Sequence, residues 1–241
     1  MARNNDTQER VRRFYTQAEA AAVEAGFAVH LDGRMPKSPA GKPLVVPTQP
    51  LAAHVAAEWA AQGEHIDPES MPMTRLAYTV IDRLAAVHEE AAREVARFAA
   101  TDLLCYFAEA PAALVDEQSR EWGPLLDWAE AELGLRLVRV AGIIHQEQPQ
   151  ETIERAAALA RGVDDFTLAG LGFAAPLLGS AVLAFGVARG RLSGEQAYDL
   201  SRLDEAFQER QWGVDEEAAE RTARQRAEAE MIDRWFRALA G

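Results

Sequence analysis

The stretch "FTLAGLGFAAPLLGSAVLAFGVA", Phe166–Ala188, decides how the rest of the chain is read. It carries no charged side chain and is long enough to cross a bilayer as one helix. It also holds four glycines and Pro176, follows directly on Asp164 and Asp165, and has no flanking aromatic belt. The sequence offers no second span. Two shorter buried helices, broken around Gly172–Pro176, account for the same pattern, because all-round apolar helices also occur in the cores of larger domains. A soluble fold without stable membrane insertion is therefore expected.

The composition agrees. Of 241 residues, 49% are hydrophobic and 26% charged, ordinary values for a globular chain of one or two domains. The formal net charge of −13 repels phosphate, so neither nucleic acid nor an anionic membrane is expected as a partner. A basic or apolar protein surface suits it better. Cys105, the one cysteine, lies among apolar residues in DLLCYFA and reads as a buried, inert thiol. The opening MARNNDTQERVRRFYTQ has no apolar run and contains Asp6 and Glu9, so neither a secretory signal nor an acid-poor transit peptide is expected.

From about residue 75 onward the pattern is mainly helical. Thr74 is the expected cap of a helix carrying Leu76, Val80, Ile81 and Leu84, and Val95 and Phe98 continue the stripe. Residues 111–134 read as helical on both sides of a kink or break at Gly123-Pro124 and end at Gly134. LRLVRVAGII, 135–144, is the strand candidate of this half, and QETIERAAALARG is a helix closed by Gly162. Ser193 and Gln196 form a capping box for a helix running to about Trp212, which Gly213 stops. Asp215 is expected to cap a last helix that buries Met231, Ile232, Trp235, Phe236 and Leu239.

The beginning differs. GFAVHLDGRMPKSP reads as two extended pieces about an Asp32-Gly33 turn, and GKPLVVPT adds a short strand. Thr48 then caps a helix that turns Leu51, Val55 and Trp59 inward. The expected fold class is α+β: a small α/β N-terminal domain, residues 1–75, then a larger mainly α-helical domain, an orthogonal bundle, residues 76–241.

A search for chemistry yields little. There is no phosphate-binding glycine loop, and GLGFAAP lies inside the apolar segment. The histidines, His30, His54, His65, His88 and His145, form no H-x-x-x-H or H-E-x-x-H pattern. His54 and Glu58, four apart, could share a metal in principle, although a hydrogen-bonded pair is the simpler reading. His88-Glu89-Glu90 reads as a helix start. No nucleophile motif is present, and Asp204-Glu205 resembles the paired acids common on helix surfaces. No cofactor and no catalysis are expected. The alternative is a small-molecule or metal-dependent enzyme with a carboxylate site between the two domains.

One surface stands out. The run LDEAFQERQWGVDEEAAE, Leu203–Glu220, places a tryptophan between two acidic stretches. On one continuous helix Leu200, Leu203 and Phe207 make the core stripe, and Trp212 falls about 140° away from Phe207. Trp212 aligns instead with Tyr198, Ser201, Glu205 and Gln208. Aromatic anchors with polar groups between them have the composition of a protein-binding hot spot. Packing of Trp212 on the following helix, across the Gly213 turn, is the open rival.

KPLVVPTQPLAAHVAAEWAAQ, MPMTRLAYTVID, TDLLCYFAE and SRLDEAFQERQWGVDEE, in this order, resemble the family of ATP synthase F₁ assembly chaperones that act on the α subunit. The resemblance runs from about Gly26 to Glu217. It departs from the family pattern at Phe107, where relatives often have arginine after LLCY. It implies an α/β part followed by a helical part, and no catalysis. It also implies binding of free α subunit over the surface that β later occupies. Carried onto this chain, it marks Asp204, Glu205, Gln208, Trp212 and Gly213 as partner-binding. The implied setting is the bacterial cytoplasm, with the free protein a monomer.

Overall fold

The computed structural model describes residues 11–142, 146–213 and 216–241. The expected cap Asp215, and His145, lie outside the described residues. The chain forms two compact units, one reaching Arg83 and taking in Ala238–Gly241, the other Leu84–Arg237.

The first unit is built on an antiparallel sheet of β1 (Ala18–Val23), β2 (Gly26–Leu31) and β3 (Val45–Val46), in that order. Helix α1 (Gln49–Ala60) packs on β1 and β2 and buries Leu51, Val55 and Trp59. Thr48 caps it, its hydroxyl accepting from the Leu51 N–H at 3.3 Å. Asp32 and Gly33 turn the chain at φ +46° and +79°, closed by reciprocal Leu31–Arg34 backbone bonds of 2.8 and 3.0 Å. That is the two-residue hairpin turn the Asp-Gly pair favours, but the piece beyond it forms isolated bridges, Leu31–Arg34 and Lys37–Pro43, rather than a strand. Strand β1 was not expected. AEAAAV favours a helix by propensity, yet pairing along all of β2 holds it extended.

Helix α2 (Pro72–Thr79) corrects a second expectation. Thr74 is not its cap but sits inside it, 2% exposed. Glu58 of α1 serves instead. Its carboxylate accepts from the N–H groups of Met73 and Thr74 at 2.8 Å each and from the Thr74 hydroxyl at 2.7 Å. A negative group at these free amides also suits the helix dipole. A wider π turn at Val80–Leu84 follows.

The second unit holds α3 (Ala85–Ala100), α4 (Ala112–Trp128), α5 (Gln150–Arg161), α6 (Asp165–Leu178), α7 (Ala181–Ala188), α8 (Gly194–Ser201), α9 (Leu203–Trp212) and most of α10 (Glu216–Ala240). Two-residue strands β4 (Tyr106–Phe107) and β5 (Val140–Ala141) pair in parallel. The expected strand over 135–144 therefore shrinks, among the described residues, to Val140–Ala141. The apolar segment is two helices, as expected, but the break falls at Gly179-Ser180 rather than within Gly172–Pro176. Pro176 is tolerated because it and Gly172, whose carbonyl it leaves unpaired, are on the exposed side, where water can replace the lost bond. Pro124 and Arg120 repeat this arrangement, so α4 does not break at Gly123-Pro124. Among the described residues, no helix is long and apolar enough to cross a membrane.

Asp102 fixes the start of α7. It is fully buried, accepting from Leu104 N–H at 3.2 Å and Val182 N–H at 3.0 Å. Burial pushes its carboxyl up to about 6, against hydrogen bonds that favour the charged form. The folded chain thus holds this proton more tightly than the unfolded one. The associated stability is full below the ordinary aspartate range and is lost as pH rises through about 6. Asp102→Asn cannot titrate. Its stability deficit, measured by urea unfolding, is expected to be largest near about pH 4 and to narrow towards about pH 7; a constant or widening deficit would contradict this. Asp102→Ala, which strips both amides of their acceptor, is expected to cost roughly 2–4 kcal/mol.

Candidate partner-binding site

The candidate residues lie on α8 and α9. The capping box at the start of α8 is formed. Ser193 Oγ accepts from Gln196 N–H at 3.1 Å, and the Gln196 side chain accepts from Ser193 N–H at 2.9 Å. Gly194 is pressed so closely on α10 that a methyl group there would run into the Ala229 carbonyl. Tyr198 continues this buried side at 1% exposure. Its hydroxyl donates to Gln225 Oε1 at 3.2 Å, Arg226 lies 5.4 Å over its ring, and burial pushes its phenol up. Arg226 pairs in turn with Glu195, at 3.2 Å, and with Asp199.

The helix expected from Ser193 to Trp212 is broken. Arg202 departs from helical geometry, at φ −114° and ψ 21°, and separates α8 from α9. A face drawn for one continuous helix does not carry across it. Ser201 ends α8 with its hydroxyl donating to Tyr198 O at 2.7 Å. Arg202 reaches forward to Glu209 at 2.6 Å, which braces the junction.

Asp204 turns inward on α9. The Gln118 side-chain amide donates to it at 2.6 Å, while Gln118 Oε1 accepts from Ala108 N–H at 2.7 Å. Burial lifts the Asp204 carboxyl above its ordinary range despite that bond. Arg210 pairs with Glu117 at 2.6 Å and makes a second tie from α9 to α4. Glu205, Gln208 and Trp212 remain exposed, Trp212 at 77%. Within α9 alone these three fall inside an arc of about 60°. Gly213, at φ +86°, stops the helix one residue beyond the indole, its N–H bonded to Glu209 O at 2.9 Å. The structure therefore brings Glu205, Gln208, Trp212 and Gly213 together on one surface, and separates Tyr198, Ser201 and Asp204 from it.

The other side of α9 borders a cleft of 710 Å³ that sequence reasoning missed. Leu203, Ala206 and Glu209 line it, with Arg202, Arg210 and Arg226 among its charged walls. The acidic total hid these arginines, which come together only through tertiary contacts. Arg202 and Arg210, on either side of the first acidic stretch, Asp204–Glu209, were the available signal.

Other reactive side chains are committed elsewhere. Both His88 ring nitrogens are engaged, with Asp165 Oδ1 at 2.6 Å and Arg161 O at 3.0 Å. Cys105 is fully buried, which pushes its thiol well up. Among the described residues, no three His, Cys, Asp or Glu side chains gather as a metal site.

The family described as ATP12 chaperone protein matches residues 12–130. Protein atp12, mitochondrial, of Schizosaccharomyces pombe is 31% identical over 225 residues, covering 88% of this chain and 77% of that protein. The crystal structure of Atp12 from Paracoccus denitrificans superposes with a TM-score of 0.88 at 38% identity, over 95% of this chain and 98% of that one. The Agrobacterium tumefaciens protein Atu1473 gives 0.87 at 41% identity, over 95% and 86%.

The burial contrast within the candidate set predicts a contrast in stability. Tyr198→Ala is expected to cost roughly 3–5 kcal/mol in denaturant unfolding, and Trp212→Ala to stay within about 0.5 kcal/mol of wild type. Comparable losses for the two would contradict the placement.

Proposed function

Because the chain belongs to the ATP12 chaperone family, we propose that it is an assembly chaperone for the F₁ part of ATP synthase, binding free α subunit and shielding its β-facing surface. The observation that carries the site is the exposed stripe Glu205, Gln208 and Trp212, with an indole left 77% in water at a helix end. An unassembled ring subunit exposes a large apolar interface prone to self-association. A chaperone must cover that interface and later yield it. One aromatic anchor flanked by a carboxylate and an amide supplies affinity at a point, while directed polar contacts supply specificity and fast encounter.

Tyr198, Ser201 and Asp204 act behind this surface. Tyr198 seats α8 on α10, the Ser201 bond to Tyr198 finishes α8, and Asp204 holds α9 to α4. Gly213 ends α9 so that the indole projects from its last turn. In this reading the chain has no catalytic role and is a monomer when free. The bacterial sources of the solved relatives support a bacterial cytoplasmic setting.

Glu205→Lys and Trp212→Ala are expected to leave thermal unfolding unchanged while weakening capture of purified α subunit about tenfold or more. Capture at wild-type strength by both variants would remove the stripe from the interface.

A further inference from the structure

The first unit carries a surface of opposite sign. Between Gly33 and Ala57 there is no acid, and the two lysines of the chain, Lys37 and Lys42, both fall there with Arg34. In a chain of net charge −13 that is a marked local reversal. The loop borders a cleft of 550 Å³ lined by Pro39 and Ala40 on one side and by Arg75, Tyr78, Thr79, Asp82 and Arg83 on the other. Arg75, Thr79 and Arg83 follow one another at intervals of four along α2 and the π turn behind it.

The walls are held firmly. Asp82 accepts from Ser38 Oγ and from Ala40 N–H, the latter at 3.1 Å. Lys42 N–H donates to Ser38 Oγ at 3.1 Å, and Lys42 Nζ to Ile81 O at 2.7 Å. The donors aimed at the cleft are, by contrast, unused. Neither the Arg75 nor the Arg83 guanidinium has an acid or hydrogen-bond partner among the described residues, and the Tyr78 hydroxyl donates to none of them. That phenol is neutral at physiological pH and so a donor, and half-burial pushes its pKa further up, to about 12.

We propose that this cleft is a docking site for a carboxylate-bearing segment of a protein partner, gripped by Arg75 and Arg83 with the Tyr78 hydroxyl as a third donor. Guanidinium forks match carboxylates in a bidentate way. A phosphate fits less well. The amides nearest the cleft are taken, Ala40 N–H by Asp82 and the first turn of α2 by Glu58. The Asp82 carboxylate also repels a dianion more than a monoanion. The inference does not depend on α subunit being the client.

Fluorescence anisotropy with a labelled hexaglutamate peptide tests it, at about 0.1 M salt, where charges beyond roughly 10 Å are largely screened. Wild type is expected to bind this peptide and not hexaglutamine. Arg75→Ala/Arg83→Ala is expected to lose about tenfold or more, and Arg75→Lys/Arg83→Lys to recover only part of the loss. Glu205→Lys is expected to bind the peptide as wild type does, which separates this result from α capture. Equal binding by the double alanine variant, or no preference over hexaglutamine, would overturn the proposal. So would displacement of the peptide by inorganic phosphate at concentrations where acetate has no effect, since that outcome assigns the cleft to phosphate.

Discussion

Helix α8 lies where it does because residue 194 has no side chain. The Ala229 carbonyl of α10 occupies the space that a methyl group would need. Around this contact the two helices are fastened by the Tyr198–Gln225 hydrogen bond and by Arg226 on Glu195 and Asp199. Gly170 plays the same part between α6 and α10, for a Cβ there would stand 2.6 Å from the Phe236 ring. While α8 is held on α10, α9 is tied to α4 instead, through Gln118–Asp204 and Glu117–Arg210. The chain breaks at Arg202, and the exposed stripe belongs to the short helix that results.

Charge is distributed by the same logic. The net acidity of the chain does not describe any one surface. In the second unit many of the acids are matched by arginines, as in Arg202–Glu209 and Arg210–Glu117, while Asp102 and Asp204 are drawn inside and held by neutral donors. Glu205 pairs with no arginine among the described residues and stays in water on the same side of α9 as Trp212. An acid already paired has little to offer a partner; one left solvated beside an exposed indole can be read by it.

The parts of this fold legible in the sequence are those set by local chemistry. The Thr48 cap, the Asp32-Gly33 turn, the capping box at Ser193 and the helix stops at Gly134 and Gly162 all depend on a few adjacent residues, and all form. The failures have a different cause. Strand β1 is alanine-rich and becomes a strand only by pairing with β2. The first turn of α2 is capped by Glu58, fifteen or more positions away in sequence. Pro124 and Pro176 lie inside helices because each faces water, a fact of tertiary burial. The candidate stripe was legible in part: the turn of Glu205, Gln208 and Trp212 is a local property of α9, whereas the burial of Tyr198 depends on α10.

Two small polar sites also suit a binder that must let go. A single large apolar contact would hold a client tightly and release it slowly. Under the two proposals made above, an acidic, tryptophan-bearing stripe and an arginine-lined cleft would each bind through a few directed contacts, and such contacts are given up faster than a large apolar one. An incoming subunit that competes for the stripe would then displace what the stripe holds, with no energy source in the chaperone itself.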